Sequence, residues 1–155
     1  MFDLEIFYRE TSKALKEFGK WEVIFIDDGS DDDSNTIIKS LADDDNRITL
    51  IQFFKNFGKA DALSKGFNYA KGDIVITIDA DLQDDPAEIP RLIGKVQEGW
   101  DVVSGWKKDR KDPASKRIPS KLFNYVTRLL TGIKIHDFNC GLKAYRRKVV
   151  KAVDV

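Results

Sequence analysis

One cysteine and one histidine in 155 residues leave little soft-ligand or redox chemistry to the chain. Cys140 alone forms no internal disulfide, so nothing here calls for an oxidising compartment. With His136 it still falls short of a self-contained zinc site, which takes about four such ligands. No apolar run approaches the roughly 20 residues that span a bilayer, and the first residues lack a signal-peptide pattern. No Gly-rich loop ending in Lys-Ser/Thr and no dinucleotide glycine fingerprint follows any strand-like run. An EF-hand is also excluded. Its loop needs Gly sixth and Glu twelfth, but counting from Asp79 those places hold Asp84 and Pro90, and from Asp27 they hold Asp32 and Ile38.

What is there is an ordinary hydrophobic content of 42% with a high charged content of 34%, which suits one globular domain over residues 1–155. A net charge of zero conceals a division. Residues 1–106 carry 12 Lys/Arg against 22 Asp/Glu, and residues 107–155 carry 14 against 4. An acidic body with a basic C-terminal third points that third toward an anionic partner. Nucleic acid is disfavoured, because the acidic body would repel a long phosphate backbone and no recognition motif appears. A small phosphorylated molecule fits better.

Helical spacing predicts helices over residues 4–18, 34–42, 59–70 and 86–97. Short β-branched or aromatic runs predict strands over 21–26, 48–53, 73–78 and 101–105. Helix and strand alternate four times, which implies an α/β sandwich on a mostly parallel central sheet. In such sheets ligands bind beyond the carboxyl ends of the strands. Asp27-Asp28 and Asp79-Ala80-Asp81-Leu82-Gln83 both stand at such ends. Neighbouring carboxylates repel unless a cation, a shared proton or water relieves them, and their hard oxygens suit Mg2+ or Mn2+. Loop acids also cap helices, and for Asp31 through Ser34 capping of the next helix is the favoured role.

The basic third opens with a cationic loop, 107–121, containing Lys107, Arg110, Lys116, Arg117 and Lys121. An apolar stripe of Ile118, Leu122, Val126, Leu129, Leu130 and Ile133 follows. It reads equally as a helix packed on the sheet or one lying at an anionic membrane surface. His136 reads as a surface or packing residue, and Cys140 as a small buried hydrophobe.

Together, Ile26-Asp27-Asp28-Gly29-Ser30, Asn56-Phe57-Gly58-Lys59, Asp79-Ala80-Asp81-Leu82-Gln83, Val102-Val103-Ser104-Gly105-Trp106 and Asp137-Phe138-Asn139-Cys140-Gly141-Leu142-Lys143 resemble a family-2 glycosyltransferase of GT-A fold. Most similar are the polyprenyl-phosphate (dolichyl-phosphate mannosyltransferase-like) enzymes. The resemblance implies a UDP- or GDP-linked sugar donor, with Ile26, Asp27, Asp28, Ala80, Asp81 and Gln83 at the donor. It puts Mg2+ or Mn2+ on Asp79, Asp81 and Gln83, and implies inverting transfer to a polyprenyl phosphate at the cytoplasmic face of the membrane. Lys107, Arg110, Lys116, Arg117 and Lys121 would orient the acceptor phosphate, Lys107 also acting at the reaction centre in place of the Arg that relatives often carry. A hydroxyl acceptor would instead need a base, for which Asp137 is the candidate, although capping or pairing with Lys143 or Arg146 suits it as well. The family's opening strand and Pro-x-x-Asn-Glu-type loop are missing from this sequence. That departure implies self-association through the vacated position and keeps a catalytically silent binding module as an alternative. A nucleotidyltransferase shares the same phosphate-and-metal logic.

Overall fold

The computed structural model describes residues 4–106 and 140–152. Helix α1 (Leu4–Ala14) forms because Leu4, Phe7 and Thr11 recur on one face, where all three are buried. It stops short of the expected residue 18, unwinding into a turn in which the Phe18 N–H donates to the Leu15 carbonyl at 2.9 Å. Strands β1 (Val23–Asp27) and β2 (Ile48–Gln52) run parallel with Val23 opposite Ile48, and α2 (Ser34–Asp44) is the crossover that parallel pairing requires.

Period-two alternation divides β1 between two layers. Val23 and Phe25 face a cluster with Leu4, Phe7, Ile38 and Ile48. Ile26 lies on the other side, beneath α3 (Lys59–Tyr69), where a β-carbon on Gly66 would come within 2.7 Å of its Cδ1. The missing side chain is what lets α3 settle this close to the strand, which fixes the height of its first residue, Lys59.

The second ladder holds β3 (Ile74–Thr77), β4 (Val102–Ser104) and β5 (Lys143–Arg146) in the order β3-β5-β4, both neighbours antiparallel to β5. The expected mostly parallel sheet is thus modified. β1 and β2 share a direction, and so do β3 and β4, but β5 enters between the latter two and reverses. Helix α4 (Ile89–Gln97) follows a 3-10 turn at Pro86–Glu88, with Pro86 in the first turn as expected and Asp85 accepting the Ala87 N–H at 2.9 Å. Its Ile89, Leu92, Ile93 and Val96 pack on Leu15, Cys140, Leu142 and Ala144, with Ile74 and Ile76 at the margin. Each such buried aliphatic contributes about 1.5–3 kcal/mol before chain entropy is counted. Ile78 touches both clusters and joins the ladders into one core. Helix α5 (Arg147–Ala152) closes the described chain. Among the described residues β1 pairs only with β2 and β3 only with β5, so each keeps one edge without a strand neighbour.

Candidate functional site

The acids that end β1 are bound by the chain's own donors. Asp27 is buried, and its Oδ1 accepts the Ser30 N–H at 3.1 Å while Oδ2 accepts the Asn35 Nδ2 at 2.8 Å. Asp28 reaches the loop after β2, its Oδ1 accepting the Phe57 N–H at 2.7 Å and its Oδ2 the Gly58 N–H at 2.8 Å. Gly29 makes this clasp possible. Its φ is +81°, and a β-carbon there would lie 2.6 Å from the Lys55 carbonyl carbon.

The acids that follow β3 are held differently. Asp79 is half-buried and meets the Lys59 ammonium at 2.7 Å through Oδ1 and 3.0 Å through Oδ2. That side chain comes from the first residue of α3, twenty positions upstream in the chain. Asp81 curls into a tight turn, its Oδ1 accepting the Gln83 N–H at 3.0 Å, with Leu82 at a φ of 57° between them. Gly141 forms the wall behind Asp79: a β-carbon there would overlap the carboxylate, with Cγ only 2.7 Å away. The Thr77 hydroxyl fixes that wall by donating to the Gly141 carbonyl at 2.8 Å.

The expected donor residues therefore separate. Asp27, Asp28, Asp79 and Asp81 all stand at strand ends, as expected. Ile26 turns its side chain into the packing beneath α3, and Ala80 joins the cluster around Phe7 and Phe25. Gln83 is exposed. Lys107, Arg110, Lys116, Arg117, Lys121, His136 and Asp137 lie outside the described residues, as does the amphipathic stretch 118–133. Cys140 is buried as expected, its Sγ 4.0 Å from the buried Asp84. The N-cap position of α2 is Asp33, which makes no side-chain capping bond. Asp32 instead accepts the Ser34 N–H at 3.0 Å, and the Ser34 hydroxyl first, then its backbone N–H, hold the Asp32 carboxyl below its usual pKa.

Sequence reasoning gave no role to Lys59 or Gly141. A signal for Lys59 did exist. A lysine in the first turn of a helix opposes the macrodipole, so its presence there asks for a carboxylate nearby.

A divalent cation fits this rim in one particular way. Among the described residues no group of three His, Cys, Asp or Glu side chains converges, so the rim is no all-protein cage. Asp79 and Asp81 supply hard oxygens, and Asp79 already carries a cationic stand-in. Mg2+ and similar ions are commonly held by one or two carboxylates together with substrate phosphates, which matches a two-acid site.

The Glycosyl transferase family 2 model matches residues 8–154, nearly the whole chain. The chain belongs to glycosyl transferase family 2. Among curated relatives, the undecaprenyl-phosphate 4-deoxy-4-formamido-L-arabinose transferase of Shewanella sediminis is 43% identical over 145 residues, covering 92% of this chain and 44% of the relative. The family-2 chain thus spans less than half the length of that relative. Among solved structures, glucosyl-3-phosphoglycerate synthase of Mycobacterium tuberculosis, in complex with Mn2+, UDP-glucose and phosphoglyceric acid, superposes with a TM-score of 0.69 at 22% identity, covering 96% of this chain and 53% of that one. A mannosyltransferase of Pyrobaculum calidifontis, in complex with GDP-mannose and Mn2+, gives 0.65 at 20% identity, covering 97% and 43%. These likenesses show the fold, which is GT-A.

Proposed function

We propose that this chain is the donor-binding portion of a metal-dependent, inverting glycosyltransferase that moves a sugar from a nucleotide-sugar to a polyprenyl phosphate. The observation that carries the reading is the half-buried pair Asp79 and Asp81 at the end of β3, one of them holding a cation beside the turn of the other. The relative at 43% identity is named for transfer to undecaprenyl phosphate, and the two structural neighbours were solved with Mn2+ and a nucleotide-sugar; both facts support it.

In this reading Asp79 and Asp81, with Gln83, hold Mg2+ or Mn2+ against the donor diphosphate. When bound, the ion offsets the negative charge that grows on the departing nucleoside diphosphate. Asp28 clasps the loop after β2 and so shapes the wall that the nucleoside meets, with Asp27 bracing the turn behind it. An acceptor phosphate oxygen forms the new bond to the sugar carbon from the face opposite the leaving diphosphate, whose bond to that carbon breaks. A lipid phosphate is already anionic at neutral pH, so it needs positioning more than deprotonation. Lys107, Arg110, Lys116, Arg117 and Lys121 provide the positive charge for that positioning, and Asp137 serves as base only if the acceptor is a hydroxyl.

The work would be done at the cytoplasmic membrane surface, where the lipid acceptor resides. No helix among the described residues is long and apolar enough to cross a membrane, so in the described part contact would be at the surface. The edges of β1 and β3 that have no strand neighbour among the described residues are the place where copies of the chain would pair, which sedimentation across a concentration series reads directly.

Titration calorimetry with UDP and GDP, each with and without Mn2+, tests the reading. Binding of one nucleotide that needs the metal is expected. Equal binding with and without Mn2+, or none, overturns it in favour of a silent binding module.

A further inference from the structure

We propose that Lys59 is an exchangeable internal counter-ion. It occupies the cation position on Asp79 in the ligand-free protein, gives way to the divalent ion, and is thereby freed to face the donor diphosphate. The proposal rests on the metal-binding reading of Asp79 and Asp81 and adds a positioning residue that acts through Asp79.

Four observations lead to it. The ammonium contacts both oxygens of Asp79, at 2.7 and 3.0 Å, so it takes the lone pairs that an ion would use. Asp79 cannot swing aside to serve both cations, because the Gly141 backbone lies against its carboxylate and is itself fixed by Thr77. The lysine is the mobile partner, with 62% of its side chain exposed against 39% for Asp79. It also projects from the first residue of α3, where the helix dipole disfavours a cation, so leaving Asp79 for another anion costs little.

Charge supports the same exchange. Two carboxylates and one ammonium leave this rim at −1. Replacing the ammonium on Asp79 by a divalent ion neutralises both acids and leaves the lysine unpaired beside them. A nucleotide-sugar diphosphate then meets a net positive rim and the N–H groups that open α3. The exchange ties ion entry to donor entry: the ion must displace Lys59, and the donor rewards that displacement by supplying the lysine with a new partner.

Mn2+ affinity without nucleotide, measured by the EPR signal of free Mn2+ in wild type, Lys59→Gln, Lys59→Arg and Asp79→Asn, tests the proposal. Exposed ion pairs are worth up to about 1 kcal/mol, so Lys59→Gln should bind Mn2+ alone about 3- to 5-fold tighter, because nothing competes for Asp79. The same variant should bind UDP or GDP in the presence of Mn2+ several-fold more weakly, while Lys59→Arg stays near wild type in both. A purely structural role for the lysine predicts weaker Mn2+ binding in Lys59→Gln, and that result, or an unchanged affinity in a variant with native circular dichroism, overturns the proposal. Absence of Mn2+ binding in every variant also overturns it. Loss of metal-dependent nucleotide binding in wild type would sink the transferase reading instead, while tighter Mn2+ binding in Lys59→Gln would still support the competition at Asp79.

Discussion

Two pairs of aspartates end two strands of this protein, look alike in sequence, and are held in opposite ways. Asp27 and Asp28 accept from three backbone N–H groups and one amide, none of which can leave without the loops coming apart. Asp79 is held by a long exposed side chain, and Asp81 by the N–H of its own turn. The first pair clamps backbone to backbone. In the second, Asp79 has a side-chain partner that can move, so its charge is open to exchange. A carboxylate whose partners are all backbone donors clamps its loops, and one whose partner is an exposed side chain is the one the proposal assigns to a ligand.

Substitution separates the two roles most sharply at the β3 rim. Asp79→Asn or Asp81→Asn should lower metal-dependent nucleotide affinity about 100-fold or more while Tm stays nearly unchanged, read by calorimetry beside a thermal melt. Asp28→Asn should do the reverse. Its carboxylate accepts two backbone N–H groups, which an amide with one acceptor oxygen cannot reproduce, so stability should fall by about 2 kcal/mol. Tm should then drop about 4–8 °C while affinity for Mn2+ alone is kept. A stable Asp28→Asn protein with lost Mn2+ binding would break the distinction. Smaller still, Gly141→Ala should push the Asp79 carboxylate off its wall and weaken Mn2+-dependent nucleotide binding about 10-fold.

Much of the frame could be read from the sequence because burial there is local and periodic. The run from Ile74 to Ile78 carries no charge, and the structure returns a strand at Ile74–Thr77. Strand β5 could not be read that way. Lys143-Ala144-Tyr145-Arg146 has no apolar alternation strong enough to mark a strand, and it becomes one because β3 and β4 leave a place between them in which Ala144 is fully buried. The aspartates were legible as acids at strand ends, since acids after an apolar run need a reason to be there. Their division of labour was not, because it depends on partners 20 to 30 positions away: Lys59 for Asp79, Phe57 and Gly58 for Asp28.

Asp45 supplies the control for this comparison, an aspartate with fixed partners at the other end of the sheet, just ahead of β2. It binds the Arg47 guanidinium at 2.6 and 2.9 Å and also accepts the Tyr8 hydroxyl. Arg47 in turn lies over the Trp21 ring, 3.7 Å from its centroid. The bond to Arg47, then the bond to Tyr8, holds the Asp45 carboxyl far below the usual carboxylate range. Tyr8 is correspondingly raised, by burial first and by Asp45 second. A depressed folded-state pKa means that this contribution to stability is complete above the unfolded value of about 3.9 and fades as pH falls below it. Asp45→Asn should therefore cost only a few degrees of Tm at neutral pH and flatten the acid side of the stability curve below about pH 4, with nucleotide and Mn2+ affinities unchanged. If Asp45→Asn weakened Mn2+ binding as Asp79→Asn does, the loss would reflect charge anywhere on the acidic body, and the rim after β3 would lose its claim to be the site.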